Sequence, residues 1–331
     1  MSVLNTYKDF LMERYDNFPH GKYVTLLILR QAQSEVIFRT EGSGEGLSFD
    51  TVQSGLKNSE PMQRAVITKR KQVAVERRTG RELLREHDLL FYKGGAKKGK
   101  AEEICALNRN MPCEHCIDCM LYGFAAGGGG AQKSRVMTDD AFSLHPFAKV
   151  TAQRTFNGLF DNSTMRDPVD GSPSTSIQSD EYVKPGALFV DMQTLKDVTE
   201  GEMIYALANV MRSRRYGAIS SRMGKMRNIL VGVIFSDCEL FSNLELTQAV
   251  YDRVTEDKAT RDVWPLSAET AANYVSAAVG ELLASVVGQK RPLSSTEVRK
   301  LEEEIAALYA DPDSVKRLLT ELTAGYPKNG R

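Results

Sequence analysis

Three cysteines fall within seven residues, Cys113-Glu-His-Cys116-Ile-Asp-Cys119, and Cys105 stands shortly ahead of them. This C-x7-C-x2-C-x2-C spacing constrains the fold more than any other feature of the chain. Two-residue gaps let successive thiolates turn back onto one tetrahedral cation, as structural zinc requires. Four sulfurs complete the shell and leave no position for water, so the site expected is structural, not catalytic. His115 lies inside the cluster and is an alternative to Cys105 as a ligand; thiolate ligation of iron also suits the spacing. Glycine-rich runs at 93–100 and 127–130 flank the cysteines, so local propensity cannot hold the segment. Metal ligation supplies on the order of 10 kcal/mol to such a small unit. The expectation is a zinc-pinned insertion over residues 101–147 that projects from a larger core. Five cysteines, odd in number and mostly clustered, argue against a disulfide framework. Cys238, in an apolar run, reads as core.

Charge is segregated along the chain although the total is zero. Between 209 and 228 stand Arg212, Arg214, Arg215, Arg222, Lys225 and Arg227, with no acidic residue among them. Tyr216, Gly217, Ser220, Ser221 and Gly224 separate these cations. Guanidinium forks, short hydroxyls and glycines that let backbone N–H groups approach an anion suit a chain of phosphates. A second tract, 64–100, holds 12 Lys or Arg against 4 Asp or Glu. A field is a local property, so these tracts outweigh the neutral sum and point to nucleic acid. Solvated basic helix faces would be the plainer origin of either tract. Tyr216 is a candidate for base stacking and equally a candidate for the core.

The remainder reads as mixed α and β. A chain of 331 residues with 42% apolar content buries a full core. Residues 23–30 are a buried strand, and 35–39 are placed to pair with it. Residues 65–75 are β-prone, which sets Lys69, Arg70 and Lys71 on a strand or strand edge. Residues 202–214 carry helical spacing, the basic glycine stretch follows, and 229–235 returns as a buried strand. The order helix, basic loop, strand puts the cations at one end of a sheet. Ser267 caps a helix through 287, Ser294 and Glu297 form a capping box, and Asp311-Pro312 starts a last helix. Core packing accounts for these helices, apart from a face available to a neighbouring subunit. Residues 151–160 alternate, 161–185 are rich in Asp, Ser, Pro and Gly, and 187–191 is strand-like. A structureless segment of that length is uncommon in a compact domain, so an extended β-hairpin arm is expected. The N-terminus has no apolar core of signal-peptide length, and no run nears the roughly 18 apolar residues of a membrane helix. The chain is therefore expected to be soluble and cytoplasmic, without a membrane partner.

The run Arg214-Arg-Tyr-Gly-Ala-Ile-Ser-Ser-Arg-Met-Gly224, beside a β-rich core, a Cys-rich insertion and a long arm, resembles a CRISPR-associated backbone subunit of the RAMP superfamily. The likeness is to the backbone subunit of the type I-D Cascade complex and extends over most of the chain. It implies an α+β fold: a modified ferredoxin-like (RRM-like) core with a zinc-pinned insertion, a β-hairpin thumb and C-terminal helices. The core's first part would span 1–100, the thumb 148–191, the second part 192–265 and the helical region 266–331. Several copies would line up along the CRISPR RNA and hold its spacer for pairing with a DNA or RNA target, alongside other Cascade subunits including the large subunit. The thumb would reach the neighbouring copy and displace bases, with Arg154 and Phe156 as contacts. A guide of variable sequence must be held by sugar and phosphate. Arg212, Arg214, Arg215, Arg222, Lys225 and Arg227 would supply charge, and Gly217 and Gly224 close backbone approach. Lys69, Arg70, Lys71, Arg77 and Arg78 would line the same groove or face the target strand. Zinc would sit on Cys105, Cys113, Cys116 and Cys119.

The competing expectation is an RNA-cleaving subunit. Related type III backbone subunits cut RNA with an aspartate near the first strand. Here residues 31–35, Gln-Ala-Gln-Ser-Glu, offer only Glu35. His20, His87, His115 and His145 lie far apart in sequence. No nucleophile–base constellation is visible, so the expected protein is not an enzyme.

Overall fold

The structure is a computed structural model, and it describes residues 1–39, 46–90, 105–106, 111–126 and 130–327. A 3-10 helix, Val3–Phe10, precedes the central strand Tyr23–Ala32 (β1). Phe49–Gln53 (β2) and Pro61–Ile67 (β3) pair ahead of a helix, Lys69–Glu86 (α1). Beyond the cysteines come Ile117–Tyr122 (α2), a small hairpin of Phe124–Ala126 (β4) with Gly130–Gln132 (β5), and strands Val136–Thr138 (β6) and Ala141–Ser143 (β7). Phe147–Val150 (α3) leads into a separate hairpin, Thr151–Asn157 (β8) with Ile177–Val183 (β9). The chain returns through Leu188–Lys196 (β10), Glu200–Arg212 (α4) and Met226–Ser236 (β11). Asn243–Glu256 (α5), Ala268–Ser285 (α6), Lys290–Pro292 (β12), Ser295–Ala310 (α7) and Pro312–Ala324 (α8) follow.

One antiparallel sheet runs in the order β12-β11-β1-β10-β7-β3-β2, with β6 also on β10. β1 is buried from Val24 through Arg30 because helices cover both of its faces. Val24, Leu26 and Ile28 pack in one layer with α1, α2, α4, α7 and α8, while Leu27 and Leu29 pack in the other with α5 and α6. The opposed layers explain why this strand reads as a continuous apolar run. Between Leu27 and Ile28 the register with β11 slips by one residue, and Gly232 sits opposite Leu27. A Cβ there would lie 3.0 Å from Leu27 Cδ1, so a larger residue would press on that side chain.

The helix starts follow the capping chemistry of the sequence. Ser294 and Glu297 form the expected box, and Thr199/Glu202 and Ser242/Glu245 form two more. Ser267 caps α6 and Asp311 caps α8, with Pro312 in its first turn.

Four expectations are corrected. Residues 35–39 do not pair with β1, because β10 and β11 already occupy both of its edges. Val36 instead exchanges backbone hydrogen bonds with Val183 at 3.1 and 2.8 Å. Residues 65–75 are not one strand: β3 ends at Ile67 and α1 starts at Lys69. Burying Gln72, Glu76, Gly80, Leu83 and Leu84 on one helical face overrides the β-branched Val73 and Val75. The hairpin arm ends at Val183, and Leu188 onward belongs to the central sheet. Cys238 lies just past β11 in a loop, its thiol donating to the Val287 carbonyl at 3.3 Å.

Candidate nucleic-acid interface and metal centre

Residues 213–225 form a loop at the end of the sheet where α4 turns into β11. Arg212, Arg214, Arg215, Arg222, Lys225 and Arg227 are all exposed there. The loop is not loose. Tyr216 N–H donates to Gly224 O at 2.9 Å and Met226 N–H to Arg214 O at 2.9 Å, which closes it on itself. Gly224 N–H donates to Glu35 O at 2.7 Å, Ala218 N–H to Ile37 O at 2.9 Å and Lys225 N–H to Ser34 Oγ at 2.9 Å, which seats it on residues 34–37. Gly217 and Gly224 take φ of +82° and +87°. A Cβ at Gly217 would stand 2.5 Å from the Ile37 carbonyl oxygen, and one at Gly224 would collide with that of Tyr216. These glycines therefore bring the chain close to its own backbone, whereas the sequence reading gave that closeness to a phosphate. Arg215 turns partly inward, donating to the carbonyls of Ser220 (3.2 Å) and Met223 (3.0 Å). Arg212 lies 5.6 Å from the Tyr309 ring centroid.

Tyr216 belongs to the core, at 1% exposure, so it presents no face for a base to stack on. Its hydroxyl meets a buried ionic group that sequence reasoning missed. Arg30 donates through Nε to Asp191 Oδ2 at 2.7 Å and through Nη2 to Glu76 Oε1 at 2.8 Å. Gln193 and Asn243 satisfy the remaining carboxylate oxygens. Burial alone would lower the Arg30 pKa, but Asp191 and Glu76 hold it well above its ordinary value. Burial pushes the Asp191 carboxyl up to about 6 against the pull of Arg30. The polar Arg30 and Asp191 within apolar strand runs were the signal available in the sequence.

The second basic tract is divided by the fold: among its described cations Arg64, Arg77 and Arg81 are engaged inside the protein, while Lys69, Arg70, Arg78 and Arg85 are exposed. Arg64 is buried, donating to the carbonyls of Ser143 (2.5 Å), Leu144 (2.7 Å) and Ser54 (2.7 Å). Arg77 grips Asp118 with Nε and Nη2 at 2.9 and 3.0 Å, and Arg81 reaches the same carboxylate at 2.8 Å. Arg77 is therefore withdrawn from the groove expected for it. Lys69, Arg70 and Lys71 stand in the first turn of α1, not on a strand. Arg78 is exposed one position beyond Arg77. Lys93, Lys97, Lys98 and Lys100 lie outside the described residues.

Cys105, Cys113, Cys116 and Cys119 converge with their sulfurs all within 4.8 Å of one another. The separations of 3.5 Å (Cys105–Cys119), 3.9 Å (Cys105–Cys116) and 4.0 Å (Cys113–Cys119) bracket the roughly 3.8 Å edge of a tetrahedron with 2.3 Å metal–sulfur bonds. Backbone N–H groups of Cys113, Cys116 and Cys119 point at sulfurs 3.3, 3.2 and 3.5 Å away, and Arg81 Nη1 lies 3.6 Å from Cys105 Sγ. Such donors stabilise thiolates, so the donor set fits a divalent metal such as zinc. His115 turns Nδ1 to the Pro327 carbonyl at 2.8 Å and stands outside the sulfur set. The site does not project. Cys105, Cys116 and Cys119 lie in the main core with α2 and residues of α4 and α8. The glycine-rich flanks at 91–104 and 127–129 lie outside the described residues.

The β8–β9 hairpin pairs seven residues on each side, from Thr151↔Val183 to Asn157↔Ile177. Arg154 forms an ion pair with Glu35 and lies 5.4 Å from the Tyr182 ring centroid. Glu35 therefore ties the hairpin to the segment that seats the basic loop. The Phe156 side chain lies outside the described part of the structure.

An α+β protein with an outward-facing cationic loop at one sheet end and a four-sulfur centre in its core is a scaffold suited to a polyanion. A family model described as Csc2 Crispr matches residues 10–319, and the chain belongs to this CRISPR family. The crystal structure of Thermofilum pendens Csc2 matches with a TM-score of 0.61 at 18% identity, over 99% of each chain. A chain of a CRISPR RNA-guided surveillance complex in a pre-nicking state matches with a TM-score of 0.49 at 10% identity, over 86% of this chain and 99% of that one. Another CRISPR RNA-guided surveillance complex holds a chain with a TM-score of 0.46 at 9% identity, over 91% and 98%. No curated protein matches the sequence. Among the described residues no helix is long and apolar enough to cross a membrane.

Proposed function

We propose that the chain is a non-catalytic CRISPR RNA-binding backbone subunit of a type I-D Cascade complex. Membership in the Csc2 family makes it a CRISPR RNA-binding subunit of a surveillance complex; the I-D assignment rests on the sequence resemblance. The observation that carries the RNA-binding surface is the exposure of all six cations: four on one folded, acid-free loop, with Arg212 and Arg227 at the helix end and strand start that flank it. That loop holds sugar and phosphate and leaves the base edges free for a target strand, DNA or RNA. The order β11-β1-β10-β7, with α1 and α4 as crossovers in one layer, supports a ferredoxin-like core. The β8–β9 hairpin serves as the thumb that meets a neighbouring copy. Leu159 and Val169, 62% and 93% exposed near its tip, are apolar groups suited to that contact. The large subunit and other Cascade subunits complete the assembly. Zinc held by Cys105, Cys113, Cys116 and Cys119 would supply structural ligation, pinning α2 against α1.

Of the cleavage candidates among the described residues, Glu35, His20, His115 and His145 are held in other contacts or buried. Glu35 is engaged by Arg154. His20 pairs with Asp16 at 2.9 Å, and His145 is 2% exposed.

Replacing Arg214, Arg215 and Arg222 together by Ala tests the surface. RNA affinity is expected to fall, and the slope of log K against log salt to flatten by about 0.7 per lost phosphate contact, about 2 in all. An unchanged slope removes the loop from the RNA interface.

A further inference from the structure

Beneath the basic loop, the buried ionic group is fastened to the loop at three places. The first is Tyr216, whose hydroxyl accepts from Arg30 Nη1 at 3.0 Å and Asn228 Nδ2 at 2.8 Å and donates to Glu76 Oε1 at 3.2 Å. The second and third are made by Asn228, just past the loop on β11. Its Nδ2 also lies 2.8 Å from the carbonyl oxygen of Val210, in the last turn of α4, and 3.1 Å from that of Ser213, where the loop starts, so its two hydrogens are shared among these carbonyls and the Tyr216 hydroxyl. Its Oδ1 accepts from Arg30 Nη1 at 3.0 Å. One asparagine thus joins both ends of the loop to its buried tyrosine and to the ions.

We infer that Tyr216 and Asn228 are positioning residues for RNA binding, locking residues 213–227 onto the Arg30–Glu76–Asp191 group so that the exposed cations stand in place before RNA arrives. The inference rests on the basic loop being the RNA surface. Neither side chain is placed to touch a nucleic acid itself: Tyr216 is 1% exposed, and the Asn228 amide is spent on the protein. The loop needs such a lock. Gly217, Ile219 and Gly224 take positive φ, and the loop's four cations, with Arg212 and Arg227 beside them, repel one another, so an unanchored loop would spread over many shapes. Anchoring moves that ordering cost from binding to folding. A phenyl ring at 216 leaves the Arg30 and Asn228 donors without their shared acceptor, and displacement of the loop is the direct way to give them water. If the loop then holds its binding shape one tenth of the time, apparent affinity falls about tenfold.

The test is binding of a fluorescein-labelled single-stranded RNA to the full chain across a salt series, with hydrogen exchange read over residues 213–227. Tyr216→Phe is expected to weaken binding about tenfold with the salt slope unchanged, since no phosphate contact is removed, and to speed exchange across the loop. Asn228→Ala is expected to behave alike. Tyr205→Phe, equally buried on α4 with a hydroxyl that makes no hydrogen bond to Arg30, Glu76, Asp191 or Asn228 among the described residues, is expected to change neither reading. Wild-type affinity and wild-type loop exchange in Tyr216→Phe and Asn228→Ala overturn the inference. So does a wild-type loop that exchanges as fast as an open turn, a measurement that needs no variant to fold. The Arg214/Arg215/Arg222 triple variant separates the two ideas. If it leaves RNA binding intact, the RNA surface lies elsewhere; if it weakens binding and the positioning variants do not, only the positioning inference fails.

Discussion

The two basic tracts look alike in sequence, but the fold leaves every cation of one exposed and draws three arginines of the other inside. In the 209–228 stretch the cations stand on a loop and its two flanks, with no ion-paired carboxylate among the described residues, and all six are exposed. In the 64–86 stretch the fold brings acceptors to three of the arginines and leaves Arg78 and Arg85 exposed. Asp118, on the helix that Cys116 caps and that carries Cys119, takes both Arg77 and Arg81, and three carbonyls take Arg64. A cation's role is decided by what the fold places within about 3 Å of it, which local net charge does not reveal. The metal site enters here, because ligation would hold α2, and with it Asp118, to Cys105, whose sulfur Arg81 of α1 approaches to 3.6 Å.

Four experiments break or sharpen that contrast, the largest effect first. Stripping the metal with a chelator is expected to remove on the order of 10 kcal/mol from the α2 unit. Elemental analysis should show about one zinc lost per chain, and freed Arg77 and Arg81 should raise salt-sensitive, non-specific RNA binding. A metal-free protein with unchanged stability would uncouple the cysteines from the neutralised tract. Next, Asp118→Ala leaves two largely buried guanidinium groups without their carboxylate, which should cost about 3–5 kcal/mol in chemical denaturation. The basic loop's contribution to the RNA salt slope should stay as it is.

The third experiment concerns His145, whose pKa burial, followed by the charges of Lys149 and Arg64, lowers to about 4. Unfolding returns it to about 6.5, so the unfolded chain binds the extra proton between these values. Its stability contribution is complete above about pH 6.5 and is lost as pH falls toward 4, a change of about 3 kcal/mol. Denaturation midpoints across that window should drop for the native chain and drop less for His145→Phe. The smallest effect is expected for Arg78→Ala, on the outer face of α1. If only the loop holds RNA, the salt slope stays within experimental scatter. A slope change near 0.7 would extend the interface onto α1.

The legible parts of the sequence were those set by local chemistry. Ser294 with Glu297, Ser267, and Asp311 with Pro312 announced their helices because a cap is satisfied within one turn. The buried strand at 23–30 was plain from its unbroken apolar run. The convergence of the cysteines followed from their spacing. Residues 65–75 misled because Val66, Ile67, Val73 and Val75 favour extended backbone, while the partners that make 69–86 a helix lie far along the chain. Gln193 on β10 and Tyr216 in the basic loop meet Glu76, and Asp118 meets Arg77.

By itself, then, the sequence determined where charge and sulfur concentrate, where helices begin, and which strand is buried on both faces. Each of these depends on neighbours a few residues away. Only the tertiary structure decided which arginines remain available, that Tyr216 is an anchor and not a stacking platform, and that the cysteine unit docks in the core. Those outcomes depend on contacts between groups as far apart as Arg30 and Asn228 or Arg30 and Asp191. The energy of a buried charge is set by whichever partner the fold delivers, and no local pattern encodes that partner.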